Sequence, residues 1–220
     1  MKNMQRISLS TTLQAPNTLL LLAMCLLILT SPFTEEELLG KIVEMSALAF
    51  VFFAAVFVGG RSSRRVMTFG FAIGATWLVL SLVDYLVLEH LPGIVADLVF
   101  MAYASFIIVI MLDRVIAAKR VTADVLCGSA SIYLLLAISW AVLYHLINQL
   151  VPGSFMAGGA TATLPYRDMV YFSLCTITTI GYGDISPLGP LVRMLAGLEG
   201  VIGTFYIAVL VARLVGLYSR

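Results

Sequence analysis

The chain has 220 residues, 61% hydrophobic and 11% charged, with a formal net charge of +1. A soluble domain of this size cannot hide that much apolar surface, and a mean hydropathy of +1.04 spread over long apolar blocks leaves a polytopic membrane protein as the class. The net charge itself is uninformative, and no nucleic-acid partner is expected; the expected surroundings are membrane lipid.

A membrane-crossing helix needs about 20 apolar residues. Six stretches qualify or come close: Pro16–Thr30, Leu38–Val58, Val66–Leu88, Ile94–Ala117, Ala123–Leu150 and Gly189–Leu217. The first is short, and Asn17 or Thr18 is placed to cap it. It lacks a small-residue cleavage site, and Pro32-Phe33-Thr34 before Glu35-Glu36-Glu37 reads as a loop, so no cleaved leader is expected.

Charge alternates along this plan. Lys2 and Arg6, then Arg61, Arg64 and Arg65, then Arg114, Lys119 and Arg120, then Arg213 and Arg220 fall on one side. Glu35, Glu36, Glu37, Glu89, Asp168 and Asp184 fall on the other. The positive-inside rule makes the first side cytoplasmic and puts both termini there. Cys25, Cys127 and Cys175 lie inside apolar segments with no metal spacing, so they read as packing residues and no cofactor is expected.

Asn148–Pro165, with Gly153, Gly158 and Gly159, reads as an outer turret. Pro165 suits a helix start, and Tyr166–Ile177 is too short to span, so it is expected to re-enter the membrane without crossing it. The chain stops at Arg220, soon after the last span, and no cytoplasmic domain is expected beyond it. The expected organisation is a cytoplasmic segment (1–15), a four-helix membrane domain (16–117) and a second membrane domain (118–220). The fold class is all-α, with six spans and a re-entrant helix and loop between the fifth and sixth.

Thr178-Thr179-Ile180-Gly181-Tyr182-Gly183-Asp184 follows that short helix. Consecutive carbonyls along such a stretch face one side only if some residues take left-handed backbone angles, which glycine adopts without a Cβ clash. In this signature, and across Tyr166 to Arg220, the chain resembles the potassium-channel family. The resemblance implies that four copies assemble and that carbonyls of Thr179, Ile180, Gly181 and Tyr182, with the Thr179 hydroxyl, replace the hydration shell of K+. Gly183 completes the loop, and Asp184 ends it at the outer mouth. Ile180 stands where Val is usual. The resemblance further implies that Tyr171 and Phe172 form an aromatic cuff; plain packing is the other reading of the pair. Thr178 and Cys175 stand just before the filter, and Cys175 replaces a carboxylate found in some members.

One departure from the voltage-gated members is complete. The fourth span has no basic residue from Val95 to Leu112 and reaches Arg114 only at its edge, so steep voltage dependence is not expected. Glu44, Asp84 and Asp97 sit toward outer helix ends, as interfacial acids or as relics of countercharges.

Glu199 lies deep in the last span, where an acid is costly. Ser173, Thr176 and Thr178 are its expected neighbours. Two readings stand: an acid that braces the filter from behind, or a charge facing the cavity. Gly203 matches the family's hinge glycine and equally permits close helix packing. Thr204, Ile207, Val211 and Val215 share one helix face, expected to line the cavity and inner gate. Arg114, Lys119 and Arg120 flank a connection expected to lie on the inner leaflet.

The expected function is passive, potassium-selective conduction by a homotetramer in a cell membrane, with a bacterial inner membrane as the expected location. Enzymatic activity is not expected: His90 and His145 lie near helix ends, with no metal or nucleophile motif joining them. The alternatives are a non-selective cation channel and a non-conducting subunit that modulates another channel.

Overall fold

The computed structural model describes residues 16–30, 64–87 and 91–218. In chain order these form α1 (Pro16–Thr30), α2 (Arg64–Val87), α3 (Leu91–Ala117), α4 (Ala123–Leu150), β1 (Phe155–Ala157), β2 (Ala160–Ala162), α5 (Tyr166–Ile177), β3 (Ile185–Pro187) and α6 (Pro190–Tyr218). The expected span Leu38–Val58 lies outside the described residues, with Glu44 and His90. Gly93–Ala117, Ala123–Leu150 and Pro190–Leu217 are long and apolar enough to cross a membrane; Asn17–Thr30 and Thr68–Val83 are shorter apolar helices. The chain is a multi-pass membrane protein.

α4 is the scaffold on which the other elements pack. Thr122 caps its start, its side chain accepting from Val125 N at 3.3 Å. Its serines do not disturb the apolar helix, because they turn their hydroxyls back on its own carbonyls. Ser129 donates to Val125 O at 2.8 Å, Ser131 to Cys127 O at 2.8 Å and Ser139 to Leu135 O at 2.6 Å. α1 and α3 both pack on α4, and α2 packs on α3. Their shared core contains Leu20 and Met24 of α1, Trp77 of α2, Tyr103 and Ile107 of α3, and Ile132 and Ile138 of α4.

The cytoplasmic edge expected from the charge pattern carries polar ties. Asn17 does not cap its own helix with its side chain. It donates from Nδ2 to Asp124 Oδ2 at 2.9 Å and to Asp124 O at 3.0 Å, so α1 begins bolted to the first turn of α4. Gly128 leaves room for this amide, since a Cβ there would lie 3.0 Å from Asn17 Nδ2. Residues 118–122, between α3 and α4, are bent rather than helical. Arg213 of α6 donates to three carbonyls at this corner: Val115 O at 3.3 Å, Ala118 O at 3.2 Å and Ile116 O.

The all-α expectation needs one correction. β1 and β2 form an antiparallel hairpin inside the turret, and β3, immediately after Asp184, pairs antiparallel with β1, giving the order β2-β1-β3. The hairpin closes over Gly158 and Gly159, whose φ values of 59° and 84° are both left-handed. That is the two-residue turn whose twist matches paired strands. Met156 faces Ser186 across the second pairing, so the β1–β2 hairpin is stitched to the chain leaving the loop 178–184.

Candidate functional site

The site is built from the end of α5, the loop 178–184 and the middle of α6. α5 begins after Pro165, whose φ of −67° and missing N–H suit that place. It ends at Ile177, and the chain then turns back over its own helix end. Thr178 N donates to Leu174 O at 3.3 Å, Thr179 N to Thr176 O at 3.0 Å, and Ile180 N and Gly181 N both donate to Cys175 O, at 2.9 and 3.1 Å. The last carbonyls of a helix have no partner within it. Here the loop's own amides supply several of them and so fix where the loop starts.

Beyond this point the backbone alternates in hand. Thr179, Gly181 and Gly183 take φ values of 60°, 54° and 82°. In an ordinary strand successive carbonyls point to opposite sides. A left-handed residue at every second position turns them toward one side. Glycine takes this angle without strain; Thr179 is the one described non-glycine residue with positive φ. Residues 178–184 are exposed throughout, with Ile180 at 55% and Tyr182 at 71%, so none of the described residues covers the loop.

The two aromatic residues expected to act together face different ways. The Tyr171 ring is parallel to that of Tyr182, with centroids 6.4 Å apart and an interplanar angle of 1°. Phe172 turns away from the loop 178–184. It meets Tyr144 of α4 edge-on at 5.1 Å and Phe155 of β1 at 5.4 Å. Tyr144 and Phe155 also meet edge-on, at 5.9 Å, closing a triangle of rings that joins scaffold, turret and α5.

Glu199 is completely buried. Its Oε2 accepts from Tyr144 OH at 2.7 Å, and its Oε1 lies 2.5 Å from Ser173 Oγ, which is also 2.7 Å from Ala137 O. Of the three expected neighbours only Ser173 bonds to it; Thr176 and Thr178 bond back to Phe172 O and Leu174 O of their own helix. The acid therefore lies between α4, α5 and α6, facing none of the exposed surface.

Gly203 sits against the last carbonyl of α5. A Cβ there would overlap Ile177 O and come within 2.7 Å of Ile177 Cγ1. Thr204, Ile207, Val211 and Val215 are all exposed on α6, together with Met194, Leu198, Val201 and Phe205. This long helix uses little of its surface inside its own chain.

The sequence reading missed the tyrosines of the scaffold. Tyr133 OH donates to Ile177 O at 2.9 Å, and Tyr206 OH of α6 donates to Ser129 O at 2.7 Å. A signal was present: Tyr133 and Tyr144 lie three helical turns apart, on one face of α4, where an apolar helix otherwise has no use for hydroxyls. Near the C-terminal end of α4, His145 packs edge-on against Tyr166, with centroids at 5.6 Å, and contacts Gln149; no possible metal group of His, Cys, Asp or Glu occurs among the described residues.

Comparison with known proteins places the same region. Residues 130–220 match the family model described as an ion channel. The inward rectifier potassium channel Kirbac3.1 of Paramagnetospirillum magnetotacticum is 32% identical over 97 residues, covering 39% of this chain and 33% of that protein. The two pore potassium channel c of Oryza sativa subsp. japonica is 31% identical over 86 residues, covering 39% of this chain and 18% of that protein. The similarity thus spans a third or less of these curated relatives, and no solved structure matches. Residues 130–220 are thus similar to an ion-channel domain, and the relatives they resemble there are potassium channels.

Proposed function

We propose that this protein is a potassium-selective channel, formed by four copies around one axis, that conducts K+ passively and without steep voltage gating. The observation that carries the reading is the alternation of left-handed angles at Thr179, Gly181 and Gly183 in an uncovered loop. One copy offers one edge of carbonyls. Four such edges around an axis make rings that replace a hydration shell, and only a closed ring supplies enough oxygens to a dehydrated ion. The bound ions are K+ at Thr179, Ile180, Gly181 and Tyr182, with Asp184 raising the cation concentration at the mouth.

The exposed apolar face of α6 fits the same reading. Helix faces in a bilayer gain little from hiding apolar surface from lipid, so this face can meet neighbouring copies or line a pore. Thr204 would stand below the filter, with Ile207, Val211 and Val215 as hydrophobic rings that close by dewetting. The full plan has six spans, with both termini cytoplasmic. Because α3 carries no basic residue before Arg114 in its last turn, α1, α2 and α3 serve as a support for the pore.

Glu199 acts as a brace behind the filter. The Ser173 hydroxyl has one proton for two acceptors, Ala137 O and Glu199 Oε1; a proton carried by Glu199 completes the set. Cavity-facing charge does not fit a carboxyl that is fully buried between three helices.

The test is native mass spectrometry of the purified chain together with K+ uptake by vesicles containing it. The proposal expects a four-copy mass and barium-sensitive uptake. A single-copy mass with no uptake sinks it. Uptake of Na+ equal to that of K+ favours the non-selective alternative.

A further inference from the structure

The last carbonyl of α5 has a different fate from its neighbours. Leu174, Cys175 and Thr176 offer their oxygens to amides of the filter loop. Ile177 O receives the hydroxyl of Tyr133, at 2.9 Å, from the outer helix α4. The other side of the same carbonyl is occupied by Gly203 of α6, where no Cβ fits. The Ile177–Thr178 peptide is therefore held between two helices, one residue before the left-handed Thr179.

Tyr133 is itself held. Its ring stacks on Tyr206 of α6, with centroids 5.7 Å apart at 26°, and Tyr206 reaches back to donate to Ser129 O of α4. Each tyrosine crosses from its own helix to a backbone carbonyl of another, and the two rings meet in between. A movement of α6 that parts the rings shifts the hydroxyl that fixes the filter base.

We propose that Tyr133 is a positioning residue for ion selection, fixing the Ile177–Thr178 peptide at the base of the filter, and that its stack with Tyr206 ties this peptide to the position of the inner helix. The inference rests on the filter reading above. Without the hydroxyl, the carbonyl of the buried Ile177 loses the side-chain donor it has among the described residues. The peptide then gains a second orientation, with the carbonyl turned toward the water-lined side, and the inner ring formed by Thr179 loosens. A looser ring discriminates less between ions of different size.

The experiment compares K+ and Na+ uptake by vesicles holding the wild-type chain, Tyr133→Phe, Tyr206→Leu or Tyr206→Phe. Tyr133→Phe keeps the ring and removes only the donor. We expect its K+/Na+ uptake ratio to fall about fivefold, the scale of one hydrogen bond of ordinary strength. Tyr206→Leu, which removes the stack, moves the ratio the same way; Tyr206→Phe, which keeps it, leaves the ratio near wild type. A role in packing alone lowers yield or thermal stability without changing the ratio, and an unchanged ratio in Tyr133→Phe overturns the proposal. If Tyr133→Phe does not assemble, Tyr206→Leu decides: a lowered ratio supports the proposal and an unchanged one overturns it. A wild-type chain that does not select K+ fails the filter reading first, and the proposal falls with it.

Discussion

Gly203 lies so close to Ile177 that a Cβ on it would come within 3.1 Å of the Ile177 carbonyl carbon as well as overlapping the oxygen. α6 and the end of α5 meet here with no side chain from position 203 between them. Gly200, one turn earlier, differs: a Cβ there would lie at an ordinary 3.6 Å from Thr176 O. We predict that Gly203→Ala destabilises the protein by about 1–3 kcal/mol through overpacking, while Gly200→Ala is tolerated. Thermal unfolding in detergent distinguishes them. Equal stability of the two variants would leave the hinge as the better account of Gly203.

Glu199 and Tyr144 form a buried pair without a cation. Replacing Tyr144 with Phe leaves Glu199 Oε2 without its donor, at a cost of about 1–3 kcal/mol. Gln at position 199 can accept from Tyr144 and donate to Ser173, as the protonated acid does. We therefore predict that Glu199→Gln keeps nearly wild-type thermal stability, whereas Glu199→Leu loses it. A Gln variant as unstable as the Leu variant would show that the site needs a carboxylate.

Arg213 joins the C-terminal end of α6 to the end of α3. The final carbonyls of a helix attract a cation, and here a guanidinium reaches Val115 O, Ile116 O and Ala118 O together. Arg213→Gln should release this corner and speed hydrogen–deuterium exchange in residues 113–120, with residues 175–184 unchanged. Exchange rates identical to wild type at 113–120 would mean that the contact does not hold the corner closed.

α3 carries Arg114 as its only basic residue, in its last turn. Each charge moved across the membrane field is worth about 2.3 kcal/mol per 100 mV, and steep gating needs several per subunit. Conductance in planar bilayers should therefore change only gradually with voltage. A steep sigmoidal activation curve would contradict this and would point to charges outside α3.

Much of this arrangement was legible in the sequence because each element has a local cause. Ala123–Leu150 and Tyr166–Ile177 match the expected bounds, the first from a long apolar run, the second from Pro165 and a length too short to span. The glycines of the loop foretold left-handed angles, and Gly181 and Gly183 adopt them. Thr179 was not foreseen at such an angle, since its own chemistry argues against it.

What escaped depends on contacts distant in sequence. The Gly158-Gly159 turn was visible, but its flanks Phe155–Ala157 and Ala160–Ala162 are too short to announce strands, and β3 pairs with β1 across the whole of α5. Ser173 was expected beside Glu199 from helical spacing alone. Tyr144 was not, because it stands 55 positions away on another helix. Phe172 was placed beside the filter, yet its side of α5 is the one turned toward Tyr144 and Phe155.

The most direct test of the central claim is the reversal potential of current through the reconstituted protein, with K+ on one side of a bilayer and Na+ on the other. The account predicts a potential strongly displaced in the direction of K+ selectivity, with the current blocked by barium and lost in Gly183→Ala, where φ of 82° leaves no unstrained place for a Cβ. A reversal potential near zero, or a current that survives Gly183→Ala unchanged, would contradict it.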